Sequence, residues 1–446
     1  MTQQRIALKI IPGLLLAAFS GVASASGFQL MEQNVSGLGN AYAGAAANPE
    51  NASTIYFNPA GMTQLQDREF SVGVAGIGPS FKFNDKSSSV GALGGTGDGG
   101  DAGGWAAVPN GYASWALTKD LYVGVGVGAP FGLKTEYDNP WLGAAQSTMF
   151  EVKTFNINPS LAFRVNDKVS LGLGINWQKV EADYERQVGV VAAGPGGAIP
   201  ASIVAGSSVK LQLDDDAWGW NVGALFTLSP STKVGLSYRS AIKYKVTGDI
   251  KVSSVSPTLV NAGSSDAEAS LKLPDTFSVA VSQQLSDKWQ MFGDVTWTGW
   301  SSIPEVNILR TTQTALYIPA FGVGQPAGAS AQVLDTDFKD TWRVGLGATY
   351  KYSDAWKLKY GIAYDETPVK RASTRLVSMP DNDRVWLSFG AQWAPSKTSA
   401  LDLGVTYIFI RDSKIDNDQT LQGRGRVTGE YEGNIWILGA QYSMAF

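Results

Sequence analysis

From residue 69 onward, apolar and polar positions alternate with a period of two in segment after segment, the pattern of half-buried strands and not of helices. In the third such segment Leu121, Val123, Val125 and Val127 share one face, while Tyr122, Gly124, Gly126 and Gly128 share the other. Leu171, Leu173 and Ile175 stand against Gly172 and Gly174 in the same way, as do Val344, Leu346 and Ala348 against Gly345 and Gly347. The connections between segments alternate in length. Six short ones, at 118–120, 166–168, 229–232, 286–288, 353–355 and 395–400, consist of turn formers. Seven longer polar stretches lie between them, near 84–104, 133–148, 187–214, 251–267, 301–338, 366–382 and 411–433. This rhythm predicts fourteen antiparallel strands in one closed unit, although the length would also suit two or three soluble domains. An even number puts both chain ends on one side of a membrane barrel, with short turns there and long loops opposite.

Ahead of the strands, Arg5 and Lys9 flank an apolar run at 10–19 that is followed by Ala23-Ser24-Ala25. The run falls well short of the roughly 20 residues a spanning helix needs, so it reads as a secretory signal cleaved after Ala25 instead of a membrane anchor. No later run approaches helix-spanning length, which leaves membrane crossing to strands. Trp105, Trp289, Trp300, Trp356 and Trp436 sit near strand ends, where an interfacial girdle wants amphipathic rings. A soluble β-sandwich would carry such rings too.

Residues 27–62, GFQLMEQNVSGLGNAYAGAAANPENASTIYFNPAGM, are rich in Gly, Ala and Asn and hold only isolated large apolar side chains. They suit close packing in a confined space or a mobile arm. The valine and leucine faces of the strands suit lipid, so the glycine faces point inward. Glycine weakens a strand unless another backbone comes close, and the repeated inward glycines therefore argue for a filled lumen. The segment 27–62 is the natural occupant.

Composition removes several chemistries. With no cysteine and no histidine, neither thiolate nucleophiles, Ser-His esterases nor imidazole zinc sites are available. After loss of the signal, 33 basic residues face 39 acidic ones, and no basic patch points to nucleic acid. The GxG runs lie inside strands with no helix after them, unlike a dinucleotide loop. Asp214-Asp215-Asp216 and the pair Asp381/Asp383 read as solvated loop charge in preference to a calcium site or a site for cations that bridge lipopolysaccharide. The glycine-rich tract 91–104 reads as a mobile outer loop without chemistry of its own. No catalytic, cofactor or metal motif emerges.

Two features carry a functional reading. Gly128-Ala129-Pro130-Phe131-Gly132 interrupts the third strand with a proline between glycines, so the strand either kinks, opening the wall, or simply ends at the outer loop. Counting from Gly172 and Gly174 carries Gln178, Ala182, Tyr184 and Arg186 inward along the fifth strand. Counting back from Gly345 and Arg343 carries Thr341 and Lys339 inward along the tenth. Both cations then lie near the outer end of the lumen, to meet a ligand or to pair with lumen carboxylates and carbonyls.

The motifs GFQL at 27–30, SGLGNAYAG at 36–44 and NPAG at 58–61 resemble, in order and spacing, the hatch of FadL-type outer-membrane fatty-acid transporters. LKLPDTFSVAV at 271–281, TWTGWS at 296–301, SMPDNDRVWLSFG at 378–390 and a terminal strand ending on Phe446 extend the resemblance over essentially the whole mature chain. It implies an all-β, 14-stranded antiparallel outer-membrane β-barrel with an N-terminal hatch plugging the lumen: a signal at 1–25, a hatch at 26–68 and the barrel at 69–446. Hatch positions include Phe28, Gly37, Gly39, Asn58, Pro59 and Ala60. Glu185-Arg186 and Phe338-Lys339-Asp340 match positions near the polar end of the ligand, and Gly128, Pro130 and Gly132 match a kinked strand used for lateral exit. The implied protein is no enzyme and needs no cofactor. It is a monomer in the outer membrane of a Gram-negative cell, in contact with its lipid and lipopolysaccharide, passing long-chain fatty acids or other hydrophobic molecules. Some relatives carry aromatic hydrocarbons. A non-transporting adhesin or structural barrel is the competing class, and an aqueous porin is a further rival.

Overall fold

The computed structural model describes residues 27–89, 96–189, 206–255, 257, 260–312, 317–318, 323–324 and 326–446. The expected signal at 1–25 lies outside the described residues.

Fourteen strands, counted among the described residues, form one closed antiparallel barrel. They are β1 (Arg68–Asp85), β2 (Ala106–Ala116), β3 (Leu121–Gly128, resuming at Gly132–Glu136), β4 (Met149–Asn166), β5 (Val169–Gln187), β6 (Ser208–Ser229) and β7 (Thr232–Arg239 and Ile242–Ser253). Then follow β8 (Gly263–Leu273 and Thr276–Gln284), β9 (Trp289–Thr298 and Glu305–Arg310), β10 (Ser330–Asp335 and Thr341–Lys351), β11 (Trp356–Asp365), β12 (Arg384–Ser396), β13 (Ser399–Asp418) and β14 (Arg426–Ala445). The ladder between β1 and β14, from Glu69↔Ala445 to Asp85↔Gly429, closes the cylinder. Closure pairs the first strand with the last, which is the condition for a sheet to cross a bilayer.

All six short turns fall where the alternation places them, but most of the long connections are shorter than expected. On β5 the outward face runs Leu171, Leu173, Ile175 and Trp177, then changes to Lys179, Glu181, Asp183 and Glu185. Ion pairs Lys179–Glu181 at 2.8 Å and Lys210–Glu185 at 2.7 Å decorate this upper part. The apolar band thus ends at Trp177 while hydrogen bonding with β6 continues to Gln187. A search for apolar alternation stops at the bilayer surface, whereas the ladder does not. The same outer extension turns 132–136, 305–310, 330–335 and most of 411–433 into strand. Asp214, Asp215 and Asp216 accordingly stand on β6 and not in a loop.

Trp105, Trp289, Trp356 and Trp436 are exposed on the outer surface, as a girdle requires, but Trp300 is fully buried. Four neighbouring strands, β7 to β10, break at one level, and a 3₁₀ turn at Trp300–Ser302 rolls the indole into the lumen there. Of the glycine-rich tract, residues 96–104 are described and held against β1. Asp101 accepts from Ser80 Oγ at 2.6 Å and from the Phe81 N–H at 2.8 Å, so this half is not the loose loop its composition suggests.

Candidate functional site

Residues 27–64 lie inside the barrel and contain one short helix, α1 (Thr54–Phe57), with 3₁₀ turns at Leu38–Asn40 and Pro59–Gln64. Their seat is cut from glycines on the inner faces of the strands. A Cβ added to Gly39 would lie 2.7 Å from Gly390 Cα, one on Gly124 would lie 2.6 Å from Ile55 Cδ1, and one on Gly347 would lie 3.1 Å from Ala43 Cβ. Cβ atoms on Gly172, Gly235 and Gly361 would strike the backbone of Ala60, Ala46 and Asn40. Gly37 packs within the segment, against Tyr42 and Asn34. The NPAG motif has a local reason. Asn58 Oδ1 accepts from the Ala60 N–H at 3.1 Å, Pro59 occupies the first position of the turn, where no N–H is missed, and Asn58 Nδ2 donates to Ala46 O at 2.7 Å and to Ala224 O of β6 at 3.0 Å.

The third strand breaks at residues 129–131. Gly128 pairs with Asn156 and Gly132 with Lys153, so three residues of β3 face two of β4, a one-residue bulge. Inward residues are even-numbered below it (Tyr122, Gly124) and odd-numbered above it (Leu133, Thr135). Above Gly111, β2 pairs only with β1, and the upper part of β3 pairs only with β4, among the described residues. The wall is unpaired between them. On the β3 side, the backbone groups of residues 129–132 are met from inside: Leu30 N–H donates to Pro130 O at 2.8 Å, Gly132 N–H to Phe28 O at 2.7 Å, and Gln33 Nε2 to Ala129 O at 2.7 Å. Phe28 then packs against Phe131 at 5.9 Å and Trp300 at 4.9 Å between ring centres.

Those three rings form one end of a continuous apolar lining. It includes Leu133, Val152, Val180, Leu211, Val246, Ile308 and Met379 and reaches Tyr184 and Val188 near the outer end of β5. Arg186 is buried there, its Nε donating to Gln332 Oε1 at 3.1 Å and its Nη1 to Gln187 O at 3.0 Å. Arg186 stands above the apolar band of β5. Burial, followed by the charges of Arg424 and Arg310, holds its pKa well below the ordinary arginine value, a strain that an anion would relieve. Arg310 donates to Ser265 Oγ at 3.0 Å and Arg424 to Gln419 Oε1 at 3.1 Å.

Lys339 is not brought beside Arg186. The strand is interrupted between Asp335 and Thr341, so the inward phase of Thr341 and Arg343 does not extend to it. Phe338 turns inward against Trp300, at 5.9 Å between ring centres, while Lys339 stays partly exposed, 3.8 Å from Glu366. Asp381 is also unlike the solvated carboxylate it suggests in sequence. It is buried, pairs with Arg384, and accepts the Gly27 N–H at 3.0 Å and Thr367 Oγ1 at 2.8 Å, anchoring the start of the internal segment. Sequence reasoning missed Phe131, Trp300 and Phe338 as one cluster, because only the breaks in the wall bring them together.

A closed membrane barrel that holds an internal segment beside a continuous buried apolar cluster, with a buried cation at one end of it, is suited to carrying hydrophobic compounds. The chain belongs to the family of outer membrane protein transport proteins (OMPP1/FadL/TodX), whose model matches residues 16–446. It is 29% identical over 462 residues to the long-chain fatty acid transport protein of Salmonella typhi, with 100% of both chains covered. It is 30% identical over 468 residues to outer membrane protein P1 of Haemophilus influenzae, covering 96% of this chain and 97% of that one. Among solved structures, a Pseudomonas aeruginosa FadL homologue superposes with a TM-score of 0.82 at 23% identity, over 94% of this chain and 99% of that one. The Ralstonia pickettii toluene transporter TbuX does so with a TM-score of 0.64 at 16% identity, over 93% and 100%. At these identities the structural likeness speaks to the fold. The protein is an outer-membrane transporter of hydrophobic compounds.

Proposed function

We propose that the cargo is a long-chain fatty acid, taken up among the outer loops, held in the apolar chamber with its carboxylate toward Arg186, and released sideways into the membrane between β2 and β3. The observation that carries this reading is the continuity of the apolar lining from the Arg186 end to Phe28, Phe131 and Trp300, which stand beside the break in the wall. A linear amphiphile fits a chamber with one cationic end. The relatives that span the full chain and are named for long-chain fatty acids support the same cargo. Residues 26–68 act as the hatch. Their hydrogen bonds to Pro130, Ala129 and Gly132 close the gap, so release requires the stretch from Phe28 to Gln33 to leave it. The process is passive.

Uptake of labelled oleate and labelled toluene by cells with and without the protein tests the reading. Faster oleate uptake with the protein is expected. Equal oleate uptake in both strains would overturn the fatty-acid assignment, and a gain confined to toluene would reassign the cargo.

A further inference from the structure

The turn between β13 and β14 brings a second cation to the outer end of the apolar lining. Residues 419–425 close on themselves: Gln419 N–H donates to Gly425 O at 2.9 Å and Arg424 N–H to Gln419 O at 3.0 Å. Gly423 and Gly425 take φ of 72° and 70°, a left-handed conformation that glycine adopts without steric cost. The turn is docked at the mouth of the barrel. Gln146 Nε2 donates to Asn417 O and to Gly425 O, both at 3.1 Å, and Gln146 O accepts from the Tyr184 hydroxyl. A Cβ on Gly189 would lie 2.8 Å from Arg424 Cγ, so the arginine stem crosses the chain as it leaves β5. Tyr184 and Arg186 share the inward face of β5, and Arg424 therefore stands over the same end of the lining as Arg186.

The described partners of both guanidiniums are neutral. Arg186 donates to Gln332 Oε1 and Gln187 O, and Arg424 donates through Nη1 to Gln419 Oε1. The nearest carboxylate in sequence, Glu185, stands on the opposite face of β5 and is held by Lys210 at 2.7 Å. Burial lowers the pKa of both arginines, and the charge of Arg424 lowers that of Arg186 further. Folding thus gathers like charges in a partly dehydrated place, an arrangement that an anion shared between them would stabilise. The two differ in access. Arg186 is 4% exposed, whereas Arg424 keeps accessible surface, so an incoming head group meets Arg424 first.

We infer that Arg424 and Arg186 form one head-group site that takes an amphiphile with a doubly charged head, a long-chain phosphate monoester, of which a fatty acid is the singly charged counterpart. Planar guanidinium forks match phosphate oxygens two at a time, and a phosphate monoester carries about two negative charges above neutral pH. A carboxylate compensates one of the two cations and leaves the other repelled, whereas a phosphate compensates both. The alkyl tail lies on the same apolar lining in either case. This inference rests on the reading that the head group of the cargo sits at Arg186.

The test titrates dodecyl phosphate and dodecanoate into the purified full-length protein in a neutral detergent at about pH 8, for the wild type, Arg424→Gln and Arg424→Lys. The phosphate should bind the wild type at least about tenfold more tightly than the acid, the worth of one further charge-assisted contact. Arg424→Gln should remove most of that preference while changing dodecanoate binding much less. Arg424→Lys keeps the charge on the same turn and should keep most of the preference, which separates the role of the charge from that of the arginine stem. A wild type that binds the two ligands equally, or an Arg424→Gln variant that retains the preference, would overturn the two-cation site and leave the fatty-acid reading standing. If neither ligand bound the wild type, both inferences would fall together.

Discussion

Lys359 Nζ, on the inner face of β11, lies 2.6 Å from Glu50 Oε2 of the internal segment, and the same ammonium is 3.0 Å from Asp402 Oδ1 of β13. It also donates to Ser36 O at 2.8 Å, and Asp402 accepts from Gln392 Nε2 at 3.0 Å. A single buried cation thus joins the segment at two points to the wall formed by β11 to β13. Arg343 adds a bond to Ala41 O, and Asp381 holds Gly27. Charged anchors hold the segment on the β10–β13 side and also on β4 and β7, where Arg164 donates to Thr63 O and Arg239 to Tyr56 O at 3.0 Å, whereas the break in β3 is met by backbone bonds and the Gln33 amide.

Replacing Lys359 with Met leaves the buried Asp402 and the half-buried Glu50 without their cation. Removing one partner of a buried ion pair costs about 3–5 kcal/mol. The variant should unfold at a lower temperature and show larger, noisier single-channel currents in planar bilayers. Wild-type values of both would mean that packing alone seats the segment.

Enlarging the seat residues should expel the segment. Gly361→Val or Gly235→Val puts side-chain carbon into the backbone of Asn40 or Ala46, while Gly111→Ala, whose nearest added contact is Ser71 O at 4.0 Å, serves as control. Overpacking typically costs about 1–3 kcal/mol. Conductance per inserted barrel should rise for the two valine variants and stay at the wild-type level for the control.

Deletion of Ala129 removes the extra residue of the bulge, so that two residues of β3 face two of β4, with Leu133 and Thr135 still inward. The wall can then pair past Gly111. Fatty-acid binding should persist while uptake falls several-fold; undiminished uptake by a correctly inserted deletion variant would exclude the lateral route.

Arg186 and Lys339 should separate cleanly. Arg186→Gln should lower the affinity of a fatty acid relative to its alcohol by about 10- to 100-fold, from roughly 1.5–3 kcal/mol for a charge-assisted contact. Lys339→Gln should leave that ratio in place, because its ammonium faces Glu366 near the surface. Both ratios are read from ligand titrations on purified protein.

Glu32, within the internal segment, is buried with Oε2 unpartnered, and burial lifts its carboxyl to about 7 despite its backbone hydrogen bond and the charges of Arg384 and Arg343. A carboxyl whose folded value is raised contributes its stability fully below its unfolded value of about 4.3 and loses it as pH rises through the folded value. The difference in melting temperature between Glu32→Gln and wild type should therefore grow in favour of the variant from pH 5 to pH 8. A difference independent of pH over that range would show that Glu32 does not titrate in the fold.

Features that depend on periodicity and local chemistry are legible in the chain before it folds. Valine and glycine alternate on β3 because one face meets lipid and the other meets the internal segment, and that contrast is written residue by residue in 121–128. The six short turns, the proline break at Pro130 and the NPAG cap at Asn58 are equally local. Assembly of the barrel fixed where the strands end, because above Trp177 the outer face is wetted and loses its apolar period while the ladder continues. It decided that Lys339 turns away, since a break at 336–340 cancels the inward phase that an unbroken strand would have kept. It also turned Trp300 from a girdle residue into a wall of the chamber, and Asp381 from a loop charge into an anchor. Contacts such as Lys359 with Glu50, or Gly390 with Gly39, join residues hundreds of positions apart. Each half is unremarkable in sequence, since a lysine or a glycine on a strand acquires its role only when closure of the barrel fixes what stands opposite it.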